Sequence, residues 1–397
     1  MGDRVDALIE PELLVWARTS AALTLQQAAK KLPVKSERLE GWESGHGHPT
    51  IKQLRKLASV YKRPIAVFYL PEPPKDFSPM RDFRRFSGEG QGPVSANLLW
   101  QMRLASIRRD IALDLYQTLD YEPLQPVIKA SLSKDPETLG TEIRTRFGIS
   151  RDRQVRFRDD GESFNWWREA IERNGVMVFQ ATDVEISEMR GFSISESPLS
   201  VIAINNKDSL RGRVFTMLHE FVHIAVQQSG LCDLEEDEEL PPEKKNVEAF
   251  CNRVAGAVLV NKDHLLLEEL VLQKGKGAKW SDEEISVLSN RYKVSQETML
   301  RRLLILDRTT PEFYRQKRQE FEQEYAELRR HKREGFALPH IRAISNAGPS
   351  FVRLVLDGYY REAITSSDLS DFLNVKLKHL GKIEYELVRR RADVGSR

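Results

Sequence analysis

Residues 213–226 read Arg-Val-Phe-Thr-Met-Leu-His-Glu-Phe-Val-His-Ile-Ala-Val, and the five in the middle, His219-Glu220-Phe221-Val222-His223, decide how the rest of the chain is read. No proline or glycine interrupts the stretch, so it predicts a helix. On a helix, positions four apart lie on one face. His219 and His223 are therefore spaced to hold one metal ion between two imidazoles, an H-E-x-x-H pattern. Zinc with three protein ligands and one open position is chemically competent. Glu220 projects beside the pair, where a carboxylate can take a proton from an attacking water and pass it to a leaving amine. The motif is short. The bland alternative, two surface histidines flanking a glutamate on an amphipathic helix, stands until a third ligand is found.

Residues 246–260, NVEAFCNRVAGAVLV, supply that ligand. The stretch predicts a second helix over 243–260, with Glu248 as the third metal-binding group. Asn252 falls one turn later on the same face, placed to hold a ligating imidazole and fix its tautomer. The rivals, Glu243 and the acidic run DLEEDEEL at 233–240, sit nearer a loop, and the run reads as solvated chain. Cys251 reads as a small packing residue, with a redox-sensitive thiol near the metal as the alternative. Manganese or iron can occupy the same ligand set as zinc. Arg291 and Tyr292 are candidates for stabilising an oxyanion. Upstream, VMVFQ at 176–180 and LSVIAIN at 199–205 predict strands. The second is expected at a sheet edge beside the motif helix, open to pairing with an extended substrate. Further helices are expected over 98–119, over Pro136–Phe147 with Ser133 as its cap, and over 163–173.

Residues 13–63 hold ten Lys and Arg against three acids, a local charge of +7. Leu13, Leu14 and Ala17 begin an apolar stripe. Thr24 caps a helix carrying Leu25, Ala28 and Ala29, Pro33 ends it, and a short helix follows with Leu39 and Trp42 inward. GHGHPT at 45–50 is a turn, and Thr50 caps a helix carrying Ile51, Leu54, Leu57 and Ala58. The succession helix, tight turn, helix is the arrangement that places a second helix in the DNA major groove. Its leading residues would be Lys35, Ser36, Glu37 and Arg38, with Gln26 at the start of the preceding helix holding a phosphate or bracing the reader. The acids Glu37 and Glu40 weaken phosphate attraction, so a helical protein-binding domain is the competing reading.

The chain has 397 residues, 40% apolar, with 61 basic and 59 acidic side chains and a net charge of +2. It is no polycation, and any nucleic-acid surface must be local. Two cysteines, Cys232 and Cys251, are too few for a disulfide framework and fit a reducing cytoplasm. The opening MGDRVDALIEPELL carries acids where a signal peptide needs positive charge, and no run of membrane-spanning length is present. A soluble, cytoplasmic protein with no membrane partner is expected.

Taken in order, these units resemble the ImmA/IrrE family of zinc metallopeptidases, in the branch with an N-terminal Xre-type helix-turn-helix. RVFTMLHEFVH and VEAFCNRVAGAVLV carry the resemblance over about residues 175–262, with Glu248 at the family's third-ligand position. GWESGHGHPTIKQLRKLASVYKRPIAVFYLPEPP and DFRRF at 82–86 carry it at the N-terminus. Asn261 departs from the proline usual after the second helix, a change at the helix exit and not at the metal. The resemblance implies cleavage of a regulatory protein, a helix-turn-helix repressor or an antitoxin. It implies an α+β, mostly helical fold: a helix-turn-helix domain over 1–75, a linker and helix over 76–130, a zincin-like metallopeptidase domain with a small β-sheet over 131–310, and a helical C-terminal region over 311–397. A DNA-binding transcriptional regulator or antitoxin with a structural or inactive metal site is the competing function. The charged helix near 312–334 reads as solvated rather than as an interaction scaffold. Residues 340–397 carry no identifiable chemistry and are available for homodimerisation or for receiving substrate.

Overall fold

A computed structural model describes the chain except residues 1–5, 22, 33, 62, 64, 75–94, 124, 126–127, 228–229, 233–241, 332–337 and 396–397. The expected linker, DFRRF and the acidic run therefore lie wholly or almost wholly outside the described residues. The chain is α+β and mostly helical, in two compact units, Met1–Ser106 and Ile107–Arg397.

The first unit contains α1 (Pro11–Ser20), α2 (Leu25–Lys31), α3 (Ser36–Glu43) and α4 (Ile51–Tyr61). Their apolar positions form one core of Leu13, Leu14, Ala17, Ala28, Ala29, Leu39, Trp42, Leu54 and Leu57, closed by Phe68. Thr24 accepts from the Gln27 amide, and the Gln27 side chain accepts in return from the Thr24 amide, a reciprocal cap that fixes where α2 begins. Thr50 and Gln53 make the same exchange at α4. Arg18 on α1 forks onto the Glu43 carboxylate at 2.8 and 2.9 Å, tying α1 to the end of α3.

Helix α5 (Ala96–Thr118) spans the boundary between the units. The second unit continues with α6 (Pro136–Phe147), α7 (Arg151–Val155) and α8 (Asp160–Arg173), then β1 (Val176–Ala181), β2 (Gly191–Ile194) and β3 (Ser200–Asn205). Next come α9 (Leu210–Ala225), β4 (Gly230–Cys232) and α10 (Pro242–Leu259). Asp135, not Ser133, caps α6: its carboxylate accepts from the Thr138 amide at 2.9 Å. Pro136 must take the first helical position, so the residue directly before it becomes the cap.

The sheet runs β1-β3-β2-β4, with β3 parallel to β1 and antiparallel to β2. The expectation that 199–205 is an edge strand is thus overturned. β3 is paired on both sides and cannot accept a substrate strand, and proline at Ile202 would break the sheet rather than test substrate pairing. Val176, Val178, Ile202 and Ile204 join α8 and α9 in the main core. On alternate positions, Phe179 turns to the opposite face, where it meets Phe351 edge-on at 5.8 Å.

Short helices follow: α11 (Lys262–Leu266), α12 (Glu269–Lys274), α13 (Asp282–Tyr292) and α14 (Gln296–Ile305). Beyond them lie α15 (Pro311–His331), α16 (Pro339–Ala347), α17 (Pro349–Tyr360), α18 (Ser366–Leu373) and α19 (Leu380–Gly395). The corner between α16 and α17 is pressed onto β1. A side chain at Gly348 would lie 2.6 Å from the Val178 carbonyl oxygen, and its φ of +85° also favours glycine. Around this corner the buried Arg168 donates to Ser345 O at 2.9 Å, and Ser350 donates to Glu172 at 2.7 Å.

The end of α10 is held from three directions. Arg144 on α6 donates to Val258 O at 2.6 Å, Gln154 on α7 to Leu259 O at 2.6 Å, and Arg302 on α14 to Val260 O at 2.9 Å. These carbonyls have no partner within the helix, and two guanidinium groups also suit the negative end of its dipole. Asn261 then accepts from the Asp263 and His264 amides and starts α11, a role the proline usual at this point in the resembled family could not fill. No helix among the described residues is long and apolar enough to cross a membrane.

Candidate metal centre

Helix α9 starts where Ser209 accepts from the Gly212 amide at 3.0 Å. From that start, residues 214 and 216–225 are buried, so the motif lies inside the domain and not on a solvated face. His219 is 0% and His223 3% exposed. Their Nε2 atoms face each other at 2.9 Å. Glu248, arriving on α10, bridges both: Oε2 lies 3.1 Å from His219 Nε2, and Oε1 lies 3.2 Å from His223 Nε2. Among the described residues, these three are the group of His, Cys, Asp and Glu whose donor atoms converge, all within 4.8 Å of one another. The acidic run and the side chain of Glu243 lie outside the described residues.

Asn252 Oδ1 sits 2.9 Å from His219 Nδ1. An amide oxygen only accepts, so Nδ1 carries that proton, the arrangement that would leave Nε2 to offer its lone pair to a bound cation. Burial would raise the Glu248 carboxyl, but the contacts with His219 and His223 outweigh it and hold the group well below the ordinary carboxylate range. Two imidazole nitrogens and an ionised carboxylate converging in a buried site are a donor set that fits a divalent cation such as zinc.

Glu220 is buried beside this group, and neither carboxylate oxygen has a hydrogen-bond partner. Burial pushes its carboxyl above the ordinary range, against the pull of His223 and His219. The surface over it is β2. Gly191 and Ser193 pair with Ile204 and Ile202 and so share the sheet face that α9 covers. A side chain at Gly191 would lie 2.4 Å from Thr216 Cγ2 and 3.5 Å from Glu220 Cγ. The Ser193 hydroxyl, buried and without a closed hydrogen bond, interacts with the Glu220 carboxylate. Neither Gly191 nor Ser193 stands out in the sequence. A four-residue strand gives little periodicity, and only the Gly in GFSI hints at close backbone approach.

Arg291 and Tyr292, considered above for an oxyanion role, are engaged elsewhere. Both donate to Glu268, Tyr292 at 2.9 Å, in a cluster that Arg151 completes at 3.0 Å. Their adjacency in sequence to the end of α13 gave no sign of that buried partner.

In the first unit, Gln26, Lys35, Glu37 and Arg38 are exposed and Ser36 half-buried. Lys35 is the N-cap position of α3, and Ser36, Glu37 and Arg38 form its first turn. The Arg38 guanidinium lies over the Trp42 ring at 5.5 Å, which restrains its direction. His46 and His48 are exposed in the turn after α3.

Compared with known proteins, residues 171–304 match the peptidase family described as IrrE N-terminal-like domain, and residues 14–68 match a helix-turn-helix family. No curated protein matches the chain.

Proposed function

We propose that this chain is a cytoplasmic zinc endopeptidase acting on a regulatory protein, a reading supported by its match over residues 171–304 to the peptidase family described as IrrE N-terminal-like and over 14–68 to a helix-turn-helix family. The substrate class, a helix-turn-helix repressor or an antitoxin, follows the resemblance. His219, His223 and Glu248 hold the metal, and Glu220 is the catalytic base. A divalent ion held there would supply Lewis acidity to a scissile carbonyl and acidify a water. The chain's own residues do the rest. Asn252 fixes the His219 tautomer. Glu220, its affinity for protons raised by burial, takes a proton from the attacking water and delivers it to the leaving amine. The first unit binds DNA through α3, with Lys35, Ser36, Glu37 and Arg38 facing the bases and Gln26 at a phosphate.

The observation that carries this reading is the convergence of His219, His223 and Glu248, with no fourth His, Cys, Asp or Glu donor closing the group among the described residues. A purely structural zinc site would be closed. Elemental analysis of the purified protein should find about one metal ion per chain, as one three-ligand site requires, and its loss from folded His223→Ala and Glu248→Ala. Glu220→Gln should keep the metal and lose turnover by roughly 10²–10⁴-fold. The readout is the set of new protein N-termini that appear in cells expressing wild type but not Glu220→Gln. Termini inside a DNA-binding regulator are expected. Identical sets from two metal-loaded proteins would overturn the peptidase assignment.

A further inference from the structure

Glu248, Cys251 and Asn252 lie on one face of α10, at spacings of three and four residues. Glu248 meets the Nε2 atoms of both histidines, and Asn252 meets the far nitrogen of His219. The far nitrogen of His223, Nδ1, is buried and has no hydrogen-bond partner. The polar group that faces His223 from the same helix is the thiol of Cys251, itself 0% exposed. Cys251 stands outside the convergent donor group, whose atoms all lie within 4.8 Å of one another.

A metal-binding imidazole almost always donates its other N–H to an acceptor, which sets ring orientation and basicity. For His219 that acceptor is an amide oxygen. Sulfur is a weak acceptor but a sufficient one for an imidazole N–H with no other partner. We propose that Cys251 is a positioning residue for His223: its sulfur accepts the Nδ1–H hydrogen bond when Nε2 is turned to the metal. A packing role alone would account for the burial of Cys251 in the main core, but it would leave the Nδ1 proton of a buried ligand unpaired.

The inference rests on the metal-site reading, and its test separates the two. Zinc affinity is measured by competition with a chromophoric chelator for wild type, Cys251→Ala, Cys251→Val and Cys251→Ser, with thermal unfolding of each metal-free form as the check on folding. Alanine and valine lack an acceptor and should each bind zinc roughly 10–100-fold more weakly. Serine restores an acceptor and should stay within about threefold of wild type, well above that loss. Valine fills the space, so a loss shared by alanine and valine is not a cavity effect. Alanine binding as tightly as wild type, or serine as weakly as alanine, overturns the role. An intense near-ultraviolet sulfur-to-metal band in the cobalt-loaded wild type, absent from Cys251→Ala, also overturns it by making Cys251 a direct ligand. Wild type that takes up no metal overturns the metal reading itself.

Discussion

At the scale of single residues, the tightest constraint on the centre is a position without a side chain. Gly191 lets β2 approach α9 so closely that an added methyl would meet Thr216 Cγ2 at 2.4 Å and the Ala203 carbonyl oxygen at 3.2 Å. Thr216 is β-branched and stiff, so the helix and strand would have to part. Gly191→Ala should cost about 1–3 kcal/mol, the usual penalty of overpacking, measured by denaturant unfolding. It should also lower turnover, because Glu220 rides on the displaced helix. Wild-type stability in that variant would mean the contact relaxes cheaply. The sequence made the other side of this site legible. His219 and His223 on one helix, and Glu248 and Asn252 on another, are each spaced by about one turn, and such a spacing is a local property. Gly191, Ser193 and the facing of Cys251 towards His223 depend on which strand crosses which helix, and no residue spacing encodes that.

At the scale of elements, the helix boundaries that were readable are those whose bounding groups are neighbours in sequence. Thr24, Thr50 and Pro136 each act within four residues. Strand order was not readable. LSVIAIN is apolar because it is central, with partners on both sides and helices on both faces, and a run of that kind carries no mark separating it from a buried edge. The capping of α10 is equally long-range. Arg302 also forks onto Glu137 at 2.6 and 2.9 Å, so it links α14, α6 and the end of α10. Arg302→Ala should destabilise the second unit by about 3 kcal/mol, near the lower end of the cost of breaking a buried pair, since Glu137 keeps some contact with water. Chemical denaturation measures this. A loss below about 1 kcal/mol, the worth of an ordinary surface pair, would show that water replaces the guanidinium at Val260 O.

At the scale of the whole molecule, the first unit holds the helix-turn-helix match and the second the peptidase match. Binding of the full chain to duplex DNA should weaken as salt rises, because the first unit would meet phosphates with its lysines and arginines. Arg38→Ala should weaken binding at fixed salt by about tenfold, the worth of one base contact, with metal content unchanged. Equal binding by the variant would move the reading surface off α3. The second unit has its own lesson in the Gly348 corner. There the C-terminal helices press onto β1, and Phe351 meets Phe179 on the sheet face that α9 does not cover. Residues 171–304, the stretch the peptidase match delimits, include that sheet but not its second cover. Those residues moved alone into another gene would carry a sheet bare on that face and stripped of most of α8 on the other. The unit that must stay together is therefore longer than the recognisable segment, and the helices after residue 338 belong with the sheet they cover.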